Sequence, residues 1–141
     1  MVDEAVLASK IAAVTDAVQR IREVLPPRVE DFRSNRTARE VVTLNLFVAL
    51  QGCLALAAHW LSDARWTVPA SYSDVFAALA DHGVIERDLA SRLVAAAGLR
   101  NLIAHQYGAI DYTRIHAIAS TDTADLLTFC RVLAERLRET R

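Results

Sequence analysis

The sequence predicts an all-α fold, an antiparallel helical bundle of four long helices and one short helix spanning residues 1–141 as a single domain. Three observations carry this. Hydrophobic residues make up 53% of the 141 residues, whereas there are only four Gly and three Pro to break helices. Apolar side chains recur at three- and four-residue spacings along most of the chain, and charged residues fall in the gaps between them.

The first helix is expected from about Val2 to Leu25, with Ile11, Val14, Val18, Ile21 and Leu25 as its apolar stripe. Pro26-Pro27 stops it, because proline lacks the N–H a continuing helix needs and restricts the residue before it. Arg28 to Arg36 is polar and reads either as a loop or as the lead-in to a second helix, Thr37 to Ser62. A loop with Trp66 and Pro69 follows. Ser71-Tyr72-Ser73-Asp74 resembles a capping box opening a short third helix through Val75, Phe76 and Leu79. His82-Gly83 closes that helix, Gly83 serving as its C-cap. The fourth helix runs from about Glu86 to His105. Gly108 interrupts the pattern, and Asp111 can cap a fifth helix from Tyr112 to about Glu139, which Thr121-Asp122-Thr123 kinks or divides. Its inner face is Ile115, Ile118, Leu126, Leu127, Cys130, Leu133 and Leu137.

Composition narrows the function. The net charge of −1 gives no global basic field, so any nucleic-acid affinity must come from a local patch. Arg33, Arg36, Arg39 and Arg100 are the cations that could form one. Cys53 and Cys130 lie inside expected helices without a CxxC or CxxH partner and read as reduced core residues, not zinc ligands. His59 reads as a core histidine, His82 as part of a helix terminus and His116 as surface. No phosphate-loop, esterase, zinc-protease or paired-carboxylate pattern occurs, so no metal or cofactor is expected. Asp3 and Glu4 stand where a secretory signal carries basic residues, and a cytoplasmic location is expected. Val41 to Leu61 has the length of a membrane span and no charged side chain, but Thr43, Asn45, Gln51, Gly52 and His59 interrupt it and neither flank is clearly basic. It reads as a helix buried on most faces, at the centre of a bundle or under a second subunit, and not as a membrane segment.

Chemistry concentrates in Arg100-Asn101-Leu102-Ile103-Ala104-His105-Gln106-Tyr107. Leu89, Leu93, Ala96, Arg100, Ile103 and Tyr107 form one helical stripe, with Arg100 where an apolar residue belongs. A desolvated guanidinium is costly unless paired or hydrogen-bonded, so Arg100 has a partner or a use. Asn101 and His105, four apart, share a face. Gly98 lies one turn earlier on that flank and could admit a close approach. Taken alone, this cluster reads equally as a structural polar network or as a site.

The R-x4-H-x-Y pattern of Arg100, His105 and Tyr107 resembles the motif of the HepT-like toxins, a branch of the HEPN superfamily of helical domains. The longer string Arg100-Asn101, His105, Tyr107 and Ile110-Asp111 is similar to the motif and its exit in that family. Tyr72-Ser73-Asp74-Val75-Phe76, Leu79 and Gly83-Val84-Ile85 resemble its third-helix region. The likeness extends over about residues 36–138.

The resemblance implies a metal-independent endoribonuclease acting as the toxin of a toxin–antitoxin pair. It implies a homodimer whose two motif helices meet at the symmetry axis. It also implies a nucleotidyltransferase antitoxin of the MntA kind that transfers AMP from ATP onto Tyr107. His105 would be base or acid, Arg100 would hold the phosphate, and Asn101 would orient His105 or bind phosphate. AMP on Tyr107 would add bulk and negative charge beside Arg100. Relatives often carry acidic residues on the second helix around the positions of Gly52 and Ala55, which this chain lacks. Two other readings fit the same residues. One is a non-catalytic HEPN domain that binds nucleotide or a nucleotidyltransferase partner. The other is a structural interaction bundle whose motif is a dimer-interface network.

Overall fold

The computed structural model describes residues 3–71, 73–105 and 109–139. Among them the order is α1 (Glu4–Val24), α2 (Val29–Ser34), α3 (Arg36–Asp63), α4 (Asp74–Asp81), α5 (Arg87–His105), α6 (Tyr112–Thr121) and α7 (Thr123–Glu139). The all-α expectation holds, with two helices more than the sequence pattern indicated.

α3 is the axis of the bundle and touches every other helix. By length and mean hydropathy (2.0 over its most apolar window) it could cross a membrane, but half of that window is buried inside the fold. Leu46, Leu50, Cys53, Leu54, Leu56, Ala57 and Leu61 are buried, so the apolar run has a packing explanation. α1 lies antiparallel along it. Asp3, the N-cap of α1, donates its N–H to Asp63 at the far end of α3 (2.9 Å), and Val14 meets α3 at Gly52.

α1 ends where expected. Leu25 takes an extended conformation (φ −66°, ψ 116°), as the residue before proline should. The polar segment after it is not a loop but α2, a single short helix that buries Phe32 against Tyr112 (6.1 Å, edge-on) and His116 (5.5 Å). Asn35 then caps α3, accepting from the Ala38 N–H at 3.0 Å.

α4 packs on α5 and α3, and its Phe76 ring meets Phe129 of α7 edge-on at 5.4 Å. The expected capping box is not formed. Ser73 makes no side-chain cap bond, and the hydroxyls of Ser71 and Ser73 bond each other at 3.0 Å instead. Gly83 does end α4, with a left-handed φ of 74° that suits a residue lacking Cβ.

The last helix of the sequence pattern is divided at Asp122. Thr121 and Thr123 turn their hydroxyls back onto the Ala117 and Ala119 carbonyls, at 2.8 and 3.1 Å. Such back-bonding bends helices, and here the chain breaks into α6 and α7. Cys53 and Cys130 are both free and buried, on α3 and α7. Their thiols hydrogen-bond, and together with burial that bond pushes Cys53 well above its ordinary pKa.

Candidate functional site

α5 carries the motif, and its orientation is fixed from its N-terminal end. Arg87 pairs with Asp81 at 2.8 Å, and Arg92 reaches Asp125 on α7 at 3.1 Å. Leu89, Leu93, Ala96 and Ile103 are buried, as the stripe demands, and Leu99 seals the same side. This places Arg100 against α3.

Arg100 has the partners its position requires. Its Nε donates to Gln51 Oε1 on α3 at 2.8 Å, and its Nη1 donates to Asn101 Oδ1 at 3.1 Å. The guanidinium also lies over the Phe47 ring, 5.5 Å from its centroid. Phe47 and Gln51 are one turn apart on α3, so an aromatic face and an amide oxygen together form a seat for a half-buried cation.

Asn101 is exposed, and its carboxamide oxygen points to Arg100. His105 is the last residue of α5, one turn beyond Asn101 on the same helical face; its side chain lies outside the described residues. Tyr107 and Gly108 lie outside them too. The chain resumes at Ala109, and Asp111 caps α6 as expected, accepting from the Thr113 and Arg114 N–H groups at 3.0 and 3.3 Å. The motif is therefore bounded by a packed helix before it and a capped helix after it. A cavity of about 260 Å³ lies behind the motif helix, lined by Leu99, Leu102, Ile103, Ile110, Arg114 and Ile115 among others.

Gln51 is the site residue that sequence reasoning missed. Its only signal was a polar side chain in an apolar run, and its partner is 49 residues away. Gly52 was the position where an acid might have oriented Arg100, and the structure corrects this. A Cβ on Gly52 would come within 2.5 Å of Val14 Cγ2, so position 52 faces α1 and is kept small by helix packing. Ala55 is half-buried one turn beyond Gln51. At Gly98 an added Cβ would meet nothing within 4 Å among the described residues.

The three arginines read as a basic patch lie on α2 and the start of α3. Arg33 donates to Thr113 Oγ1 at 3.2 Å and so ties α2 to α6. Arg36 is paired with Glu40 at 2.8 Å and exposed, and the pair holds it above its ordinary pKa. Arg39 stacks over Tyr112 at 4.9 Å, and its buried Nε has no hydrogen-bond partner among the described residues. The other histidines take mixed places. His59 Nε2 is 3.0 Å from Asp63 Oδ2 without hydrogen-bond alignment. His82 ends α4 and stacks flat on Trp66 at 3.9 Å. His116 is not a surface residue: it is half-buried, bonded to the Pro26 carbonyl at 2.8 Å and packed on Phe32. No three His, Cys, Asp or Glu side chains converge among the described residues.

Comparison with known proteins bears on the family and the fold. The family model described as Ribonuclease HepT-like matches residues 14–133. The chain is 26% identical over 128 residues to the mRNA nuclease HepT of Shewanella oneidensis, covering 91% of this chain and 96% of the relative. It superposes with a TM-score of 0.86 at 25% identity on a tri-AMPylated Shewanella oneidensis HEPN toxin in complex with MNT antitoxin, covering 94% of this chain and 99% of the other. The fold alone is shared, at 13% identity and a TM-score of 0.86, with the cytosolic protein YutE of Bacillus subtilis, covering 99% and 93% of the two chains.

Proposed function

The chain belongs to the HepT-like ribonuclease family, and on that premise we propose that it is the toxin of a toxin–antitoxin pair, a cytoplasmic endoribonuclease that cleaves RNA without a metal ion. The observation that supports this most directly is the seating of Arg100 on Gln51 and Phe47, on the helix that ends in His105. A structural network would satisfy Arg100 and stop there. Here the arginine is held half-buried, within a turn and a half of an imidazole at the helix end.

Metal-free RNA cleavage needs a base for the 2′-hydroxyl, an acid for the leaving 5′-oxygen and positive charge on the phosphorane. His105 supplies base or acid, since imidazole titrates near neutral pH. Arg100 holds the non-bridging oxygens. Asn101 steadies Arg100 through the bond at 3.1 Å and stands one turn from His105. The 2′-oxygen attacks phosphorus, the P–O5′ bond breaks, and the products carry a 2′,3′-cyclic phosphate and a free 5′-hydroxyl. One imidazole does not easily fill both proton roles in a single step, and a homodimer supplies the second. Arg33, Arg36 and Arg39 supply contacts to the RNA backbone. The partner that silences the toxin is an MntA-type nucleotidyltransferase, which transfers AMP from ATP to the Tyr107 hydroxyl and releases pyrophosphate. The added phosphate competes for Arg100.

The test is growth after induced expression of the chain beside His105→Ala at equal soluble level. Arrest by the wild type alone, with new RNA ends bearing cyclic phosphate, is the expected result. If neither arrests growth while both fold, the non-catalytic, partner-binding reading replaces this one.

A further inference from the structure

We propose that Gln51 is a positioning residue for the reaction: it fixes the Arg100 guanidinium by an amide oxygen, a contact that adds no negative charge beside the cation. This rests on the ribonuclease reading above.

The argument begins with what α3 offers at the contact. From Val41 to Leu61 the helix carries no Asp, Glu, Lys or Arg, so its wall beneath Arg100 is uncharged. A guanidinium nitrogen turned toward an apolar wall needs a hydrogen-bond acceptor there. Gln51 removes that problem with one short bond, 2.8 Å to Nε, from a side chain that is itself half-buried and anchored on the central helix. Phe47, one turn earlier, supports the flat face of the guanidinium at 5.5 Å. With Nε on Gln51 and Nη1 on Asn101, the orientation of the planar group is fixed by two neutral oxygens.

The choice of amide matters. A carboxylate at the same place would bond Arg100 at least as firmly, because charge-assisted bonds are stronger. It would also compensate the positive charge that a phosphate must meet. An amide at this contact separates the two effects, giving position without adding a compensating charge. Gln51 thus acts through Arg100 and makes no contact with the substrate.

The two effects predict opposite signs in one substitution. Gln51→Glu is compared with wild type for RNA cleavage and thermal melting, and in a His105→Ala background for RNA affinity against salt. The expected result is a melting temperature that does not fall, RNA affinity at least tenfold weaker and a salt slope shallower by about 0.7, the loss of one phosphate contact on a single strand. Cleavage then falls mainly through KM. Gln51→Leu, which removes the tether without adding charge, should fold, bind RNA within about threefold of the parent and lose about tenfold in kcat. Wild-type cleavage by either variant overturns the proposal and leaves the ribonuclease reading intact. So does a melting temperature that falls in step with activity in both, which would make Gln51 a packing residue. If the wild type cleaves no RNA and the His105→Ala parent binds none, the ribonuclease reading itself fails, and the positioning role fails with it.

Discussion

At the scale of single residues, Gly52 shows how packing overrides a plausible chemical expectation. The sequence placed a vacancy there, where an acid could have oriented the motif arginine. The structure instead puts position 52 against Val14, a β-branched and fully buried side chain with little freedom to yield. Gly52→Ala is therefore expected to destabilise the fold by about 1–3 kcal/mol, the cost of forcing a methyl group into a packed contact. Ala also removes an entropic cost of up to about 1 kcal/mol for glycine in a helix interior, so the measured loss should lie toward the lower end. Urea unfolding of the two proteins decides it; a more stable alanine variant would mean that α1 shifts to accommodate the methyl. The same scale shows why half of the site was legible. Arg100 announced itself by breaking an apolar stripe, which any helix pattern reveals. Its partner Gln51 did not, because only the tertiary fold brings together residues 49 apart. His116 was misread for the same reason: the Pro26 carbonyl that holds it lies 90 residues away.

At the scale of elements, the long helices were legible because their apolar spacing exceeds two turns, and the breaks were less so. α2 has only six residues, too few for a periodic signal, and owes its shape to the burial of Phe32. The division at Asp122 was visible only as a run of residues able to bond their own backbone. The end of α3 shows a different kind of hidden feature. The Trp66 N–H reaches back to the Leu61 carbonyl at 2.9 Å, a closing turn that usually ends in glycine. Here the left-handed position is Arg65, with φ at 62°. An L-residue with a long side chain pays roughly 1–2 kcal/mol for that conformation. Arg65 is exposed and has no hydrogen bond or ion pair through its side chain among the described residues. Arg65→Gly is thus expected to stabilise the protein by about 0.5–1 kcal/mol after glycine's greater unfolded-state entropy is subtracted. Thermal melting should rise by a few degrees. A lower melting temperature would show that Arg65 makes a contribution beyond its backbone.

At the scale of the whole molecule, an apolar surface on α3 remains uncovered by the described residues. Leu44 and Val48 on α3 are 62% and 39% exposed, unusual for large apolar side chains on a helix otherwise central to the fold. With Gln51 and Ala55 they follow the three- and four-residue spacing of a single helical face. That face adjoins the seat of Arg100, since Gln51 belongs to both. An apolar strip beside a polar site is what a second copy of this chain would cover, bringing a second Arg100 and a second His105 to the same cleft. The sequence expected α3 to lie at the centre of a bundle or under another subunit; in the fold it lies at the centre, and the exposed strip leaves room for the second role as well. The combined variant Leu44→Glu, Val48→Glu sets like charges across such an interface and leaves the buried face of α3 untouched. It should sediment as a monomer at micromolar concentration, retain the wild-type circular dichroism spectrum, and lose at least tenfold in RNA cleavage because each remaining site holds one imidazole. Mixing it with excess His105→Ala protein should not restore activity, because the mutated face cannot pair. A monomeric variant that cleaves RNA at the wild-type rate would show that one chain carries every catalytic group, and His105 would then have to serve as acid and base in turn.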